Sequence, residues 1–212
     1  MIRNLLIILL TCISFTSFAQ EIQIKNLKKH IEYLASDKMK GRETGSKELD
    51  KAANYIEKYF KKFNLKPLGT HQYRQAFQAK VRRVTVVDSI RQAENIIGFL
   101  DNGAPYTIVI GAHYDHLGHG TFGGSLSKDD VGKIHNGADD NASGVAGLIE
   151  LARYYSSNNI KENYNILFIA FSAEELGLVG SRYWTDNPTL SLENIHWMLN
   201  MDMIGRYNPN NG

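Results

Sequence analysis

Two short segments that are apolar at consecutive positions place the strongest constraint on the fold of this chain. They lie within 106–110 and 166–171, and consecutive apolar residues are typical of strands covered on both faces of a sheet. Between them, Val145, Leu148 and Ile149 recur at helical spacing. A strand, a helix and another strand form a βαβ unit with parallel strands. We therefore predict an α/β fold of three layers, with a mostly parallel, mixed central sheet and helices on both faces.

The remaining periodic segments predict two more helices and three more strands. Apolar residues at helical spacing predict a first helix at 24–35, and a second helix begins after Ser46, whose hydroxyl can cap it. Strands are predicted at 84–87, 95–100 and 197–201. The chain of 212 residues has the length of one sizeable domain, which we expect to occupy residues 20–212.

The first 19 residues have the layout of a secretory signal peptide. Arg3 precedes a mainly apolar run, and the small residues at 17–19 offer a cleavage site before Gln20. The apolar run is shorter than the roughly 20 residues of a membrane span, so we expect no stable membrane anchor. The one cysteine, Cys12, lies in this segment, and Thr11 before it is a poor match to a lipoprotein site. A secreted or periplasmic protein without disulfides is the expectation.

The charge of the chain excludes two classes of partner. The formal net charge is only +2, and 43% of the residues are hydrophobic and 22% charged, as in an ordinary folded protein. So small a charge predicts no binding to nucleic acid or to an anionic membrane. The sequence carries no signal for an oligomeric state.

Histidines and acidic residues concentrate in four segments, each at the end of a predicted strand or the start of a helix. In open α/β sheets, ligands bind outside the carboxyl ends of the strands, so the four segments are expected to share one crevice. The first contains His113, which can bind zinc. Asp115 points the same way in an extended chain and can hold the other ring N–H. Alone, this pair would also suit a polar strand end.

The other three segments carry carboxylates that ordinary structure explains less well. Asp139 and Asp140 precede the helix, where a single capping residue would suffice. Glu174 and Glu175 follow an apolar strand directly, and neighbouring buried carboxylates are costly unless they are paired or bind a metal. Asp202 interrupts another apolar strand. A solvated helical turn would explain the two glutamates alone, but the four segments together indicate a metal site.

In their order and their residues, the four segments resemble those of the co-catalytic zinc exopeptidases, the aminopeptidases of metallopeptidase family twenty-eight. The matching pieces are GAHYDH around His113, NGADDNASG around Asp140, FSAEELGLVGS around Glu174 and NMDMIGR around Asp202. The resemblance implies a zinc-exopeptidase-like fold. It also implies an enzyme that hydrolyses peptide bonds of peptide or protein substrates with a water activated by two Zn²⁺ ions.

The resemblance assigns the metal ligands residue by residue. It implies that Asp140 bridges the two ions, that His113 and Asp202 complete the first site, and that Glu175 binds the second. A cis peptide bond after Asp140 is also implied.

The resemblance further assigns two residues to catalysis. It implies that Glu174 is not a ligand but the general base, which takes a proton from water and passes it to the departing amine. Asp115 is implied to support His113.

One ligand of the family pattern is a histidine downstream of Asp202 that binds the second metal. This chain ends at Gly212, so we expect the domain to be incomplete at its carboxyl end and the second site to lack this ligand. His196 lies at the opposite end of the same predicted strand and is not a substitute. Three histidines in or near the long loop could bind a metal adventitiously, but we expect them to be solvated: His116, His119 and His135.

Two alternatives share the implied fold. A glutaminyl cyclase, an acyltransferase with one zinc, is compatible with His113, although NGADDNASG favours the peptidases. A non-catalytic binding ectodomain would be expected to lose ligands or base, and the available positions are intact. Aminopeptidase, carboxypeptidase or dipeptidase action, side-chain preference and the native metal stay open.

Overall fold

The computed structural model describes residues 21–81, 89–121, 124–125, 128–130 and 132–207. The α-helices in these ranges are Ile24–Leu34 (α1), Lys47–Lys62 (α2), Gly144–Ser157 (α3) and Val179–Asp186 (α4). The strands are Lys66–Pro67 (β1), Arg74–Lys80 (β2), Ile90–Leu100 (β3), Thr107–His113 (β4), Asn165–Phe171 (β5) and Ile195–Asn200 (β6). None of the helices in the described ranges is long and apolar enough to cross a bilayer.

The six strands form one mixed sheet in the order β1-β3-β5-β4-β6, with β2 paired to β3. β4 runs parallel to both of its neighbours, β5 and β6. β3 is antiparallel to β5, β1 and β2. The predicted βαβ unit is therefore present as β4-α3-β5, and the parallel part of the sheet is confined to β4, β5 and β6.

Helices cover both faces of the sheet, which confirms the predicted three layers. β4 and β5 are buried at all seven of their positions. Alternate side chains, such as Ile110 and Phe168, pack in a core with α1, α2 and α3, and the intervening ones, such as Val109 and Leu167, pack with Trp184 of α4. Burial on both faces explains why apolar residues stand at consecutive positions, as at 108–110 and 166–171, rather than at alternate ones.

Most of the predicted elements are present, and β2 is a strand that the periodicity does not reveal. The second helix begins as predicted, since Ser46 Oγ accepts a hydrogen bond of 3.1 Å from the Leu49 amide. β2 alternates between buried and exposed positions, but Gln75, a polar residue, occupies one of the buried ones. Its amide donates to Asn187 O and accepts from Asn95. The strand predicted at 84–87 and the signal segment lie outside the described residues.

His30 of α1 is a titratable group inside the helical layer. Its side chain is buried, and Nδ1 lies 2.8 Å from the hydroxyl of Tyr55. The ring also meets Tyr59 edge-on, with 4.7 Å between ring centroids. Burial lowers the pKa of His30 from 6.5 to about 4, although Glu150 acts in the opposite direction. In the unfolded chain His30 therefore binds a proton below about pH 6.5, whereas in the folded chain it binds one only below about pH 4.

We expect His30 to make the fold less stable as the pH falls from about 6.5 to about 4. The loss amounts to at most about 3.5 kcal/mol of unfolding free energy, because one pKa unit corresponds to roughly 1.4 kcal/mol. Asparagine does not titrate, so His30→Asn should lose less stability over the same interval. Urea unfolding at pH 7 and pH 4.5 measures both losses, and equal losses in the two proteins would contradict the assignment.

Candidate metal centre

The site lies where the three parallel strands end. β4 ends in His113, β5 is followed after two residues by Glu174 and Glu175, and β6 is followed after one residue by Asp202. Because the strands are parallel, their carboxyl ends meet at one edge of the sheet. The turn that leads into α3 brings Asp140 to the same edge.

One group of donor atoms surrounds the ring of His113. Its Nε2 atom lies 3.2 Å from Asp140 Oδ1, 3.4 Å from Asp202 Oδ1 and 3.9 Å from Glu174 Oε2. One ligand atom each of His113, Asp140 and Asp202 fit within 4.8 Å of one another. An imidazole and two carboxylates at this spacing are suitable ligands for a zinc ion.

The hydrogen bonding of His113 leaves Nε2 available to a metal. Nδ1 lies 3.1 Å from the main-chain oxygen of Asp115, and a carbonyl oxygen can only accept, so Nδ1 carries a proton. Nε2 is buried and has no hydrogen-bond partner among the described residues. A buried polar atom without a partner is costly, and a bound cation would remove that cost. The geometry of His113 therefore fits a zinc ligand.

The carboxylate of Asp115 does not hold the ring as directly as predicted, since Oδ1 lies 3.7 Å from Nδ1 of His113. It accepts hydrogen bonds from the amides of Glu174, at 3.0 Å, and Glu175, at 3.3 Å. It also accepts one of 3.0 Å from the hydroxyl of Thr44. Asp115 therefore connects the end of β4 to the turn that presents both glutamates.

A second group of donor atoms includes His116, and the prediction that this residue is solvated is wrong. Its side chain is 8% exposed, and Nδ1 lies 2.8 Å from Glu175 Oε1 and 3.8 Å from Asp140 Oδ1. His119 and His135 do lie in the loop, each bonded to a main-chain oxygen. One sign of this lies in the sequence, where His116 follows Asp115 directly, inside the matching piece GAHYDH.

His196 lies away from this site, as expected. It stands at the start of β6, and its ring stacks on Tyr106 with 3.8 Å between centroids.

Asp140 is common to both groups, and the residues around it fix its turn. The Asp140–Asn141 peptide is cis, as the resemblance implies. The buried side chain of Asn141 donates to Met201 O at 3.0 Å and accepts from the Gly144 amide at 3.0 Å. Asn141 therefore joins the Asp140 turn to the segment that carries Asp202. The neighbouring carboxylate of Asp139 accepts a hydrogen bond from the Gly205 amide at 2.8 Å.

Arg42 is a buried residue of the site region that the sequence does not reveal. Its side chain is 0% exposed and donates to main-chain oxygens of Tyr114, Asn136 and Gly137 at 2.9–3.0 Å, and also to Leu34 O. Burial lowers its pKa to about 10, against the pull of neighbouring carboxylates, so it stays charged at neutral pH. It joins the segment after β4 to the turn before Asp140.

The electrostatic field of the site favours a cation. Burial alone would lower the pKa of His113, but the adjacent carboxylates of Asp115 and Asp140 raise it to about 11. The contact with His113 lowers the pKa of Asp140. Burial raises the pKa of Glu174, and nearby carboxylates, including Glu175, raise it further. Glu174 is thus the carboxylate of the site best suited to accept a proton.

Comparison with known proteins identifies relatives over about half of the chain. A family model described as Peptidase family M28 matches residues 95–211. Nicalin of Caenorhabditis elegans is 37% identical over 98 residues, which cover 43% of this chain and 16% of that protein. Aminopeptidase YwaD of Bacillus subtilis is 32% identical over 117 residues, which cover 53% of this chain and 22% of that protein. The chain thus spans less than a quarter of the length of these relatives.

Solved structures match a larger share of the chain. A glutaminyl cyclase of Bacteroides thetaiotaomicron has a TM-score of 0.69 at 22% identity, over 88% of this chain and 64% of that chain. A leucine aminopeptidase precursor of the same organism has a TM-score of 0.67 at 21% identity, over the same shares. These likenesses show the fold, which is shared by peptidases and cyclases and agrees with the predicted class.

We expect Asp115→Asn to weaken metal binding. Asparagine has one acceptor oxygen where the carboxylate has two, so at least one of the amide and hydroxyl donors loses its partner. Loss of such supporting contacts typically lowers metal affinity by about 10–100-fold. Zinc affinity, measured by competition with a chromophoric chelator, should fall accordingly, whereas Asp186→Asn, at the exposed end of α4, should leave it unchanged. Equal affinities in all three proteins would show that Asp115 does not position ligands.

Proposed function

The chain belongs to peptidase family M28, and we propose that it is a zinc-dependent aminopeptidase in which Asp140 would help to hold two metal ions. One observation carries this proposal. Asp140 Oδ1 lies within 4 Å of both His113 Nε2 and His116 Nδ1, so one carboxylate belongs to two groups of donors. A carboxylate shared by two groups of donors suits a pair of neighbouring cations.

The ligands proposed for the two ions come from separate elements. His113 and Asp202 would hold the first ion and Glu175 the second, with Asp140 between them. When bound, the ions lower the pKa of a coordinated water and polarise the carbonyl of the scissile peptide bond. The rigid strand ends position the first group, since β4 and β6 pair directly.

Glu174 is proposed as the general base. Its side chain is partly buried, with 30% exposed, and Oε2 lies 3.9 Å from His113 Nε2, beside the first group of donors. Its raised pKa lets it take a proton from the attacking water and later donate that proton to the departing amine. Asp115 fixes the main chain of Glu174 through its amide, so the carboxyl group stays at this position.

The charge of the site supports action at the amino end of a peptide. Four carboxylates face the same crevice, those of Asp140, Glu174, Glu175 and Asp202. A free α-amino group is positively charged near neutral pH and is proposed to dock against a carboxylate of this rim. The likeness to Aminopeptidase YwaD is consistent with this choice.

The alternative of a cyclase with one zinc rests on fold likeness alone. The second group of donors around His116 favours the peptidase, because a single ion would leave that group without a cation. A binding ectodomain would have no need of Glu174. Export from the cytoplasm, as a secreted or periplasmic enzyme, is also proposed, on the N-terminal segment of residues 1–19.

We expect the purified, zinc-loaded protein to remove one residue at a time from a peptide with a free amino terminus. The same peptide with an acetylated terminus should stay intact. Glu174→Gln removes the base but keeps the shape, so kcat should fall by about 10²–10⁴-fold while the zinc content is unchanged. Glu193→Gln, an exposed residue before β6, is the matched control and should keep full activity.

Mass spectrometry of the products separates the alternatives. Loss of whole residues supports the peptidase, whereas loss of ammonia from peptides that begin with glutamine would indicate the cyclase. If Glu174→Gln hydrolyses the free peptide as fast as the parent protein does, the proposed mechanism is wrong.

A further inference from the structure

We propose that His116 is a ligand of the second metal ion, together with Asp140 and Glu175. This inference rests on the proposed two-metal function and adds an imidazole from the segment directly after β4. The family resemblance assigns no ligand to this position; it implies a histidine beyond Asp202.

The geometry around His116 matches that around His113. Nδ1 of His116 lies 2.8 Å from Glu175 Oε1 and 3.8 Å from Asp140 Oδ1. One ligand atom from each of the three residues fits within 4.8 Å of the others, as in the first group. Each group therefore offers one imidazole and two carboxylates, a ligand set that suits zinc.

The main chain holds His116 at this place. Its amide donates to Arg42 O at 3.2 Å, and Gly118 N donates to Gly41 O at 3.1 Å. Gly137 packs closely against the ring, because a Cβ added to this glycine would lie only 2.6 Å from Cδ2 of His116. The ring is thus buried between two anchored segments rather than free to turn into solvent.

A hydrogen bond between His116 and Glu175 accounts for their distance of 2.8 Å but not for the approach of Asp140 to the same ring nitrogen, at 3.8 Å. The guanidinium of Arg42 acts on both carboxylates through its charge, but its hydrogen bonds go to main-chain oxygens. A cation between Asp140 and Glu175 would contact both carboxylates and the ring at once, which a proton on the ring cannot do. Ligation therefore accounts for the convergence of all three side chains, and a hydrogen bond for only two of them.

The test is the zinc content of single variants, measured by elemental analysis after removal of loose metal. The parent protein should hold two ions per chain. His116→Asn keeps an N–H donor near the position of Nδ1 but supplies no imidazole ligand, so it should hold one ion. Its affinity for the second ion should fall by more than about 100-fold, which exceeds the usual effect of losing a supporting contact. His135→Asn, in the same loop, is the matched control and should hold two.

His116→Cys gives a direct signature of ligation. A thiolate is also a good ligand, so this variant should recover two ions. With cobalt in place of zinc, it should show a thiolate-to-metal charge-transfer band that the parent protein and a His135→Cys control lack. The chain's own cysteine, Cys12, is replaced by serine in all of these proteins.

Three results would overturn the inference: two tightly bound ions in His116→Asn, a single ion in the parent protein, or a cobalt derivative of His116→Cys without the band. None of these depends on catalysis. A protein that binds metal as expected but cleaves no peptide would refute the proposed function and leave the ligand assignment intact.

Discussion

The concentration of negative charge at one edge of the sheet is the constraint on which the rest of the structure depends. Asp115, Asp140, Glu174, Glu175 and Asp202 all lie at the carboxyl ends of β4, β5 and β6. Carboxylates this close, and partly buried, repel one another unless cations stand between them. The field is strong enough to raise the pKa of the buried ring of His113 to about 11. Two dications would balance this charge and satisfy Nε2 of His113.

Three residues that are not proposed as ligands hold the ligand-bearing segments in place. Arg42 joins the segment after β4 to the turn before Asp140, and Asp115 joins β4 to the Glu174 turn. Asn141 joins the Asp140 turn to the Asp202 segment. Each contact links two ligand-bearing segments that are far apart in the sequence. Ligands held in this way need little reordering when a metal binds, which preserves its affinity.

The fold could be predicted from the sequence where a local pattern of residues determines the local structure. The consecutive apolar residues of β4 and β5 predicted buried parallel strands, and a strand end followed by His113 or Glu174 predicted the edge at which they meet. β2 was missed because Gln75 fills a core position with a polar side chain that finds partners across the fold.

Arg42 and His116 were missed for a related reason. Nothing local marks an arginine as buried when its partners are main-chain oxygens up to 95 residues away. His116 looked like part of a polar loop because its burial depends on Arg42 and Gly137, which only the folded chain brings beside it.

The most direct test of a two-metal centre is anomalous diffraction at the zinc absorption edge from crystals of the zinc-loaded protein. Two peaks are predicted on either side of the Asp140 carboxylate, one against His113 and Asp202 and the other against Glu175 and His116. A single peak, or peaks away from these side chains, would contradict the account.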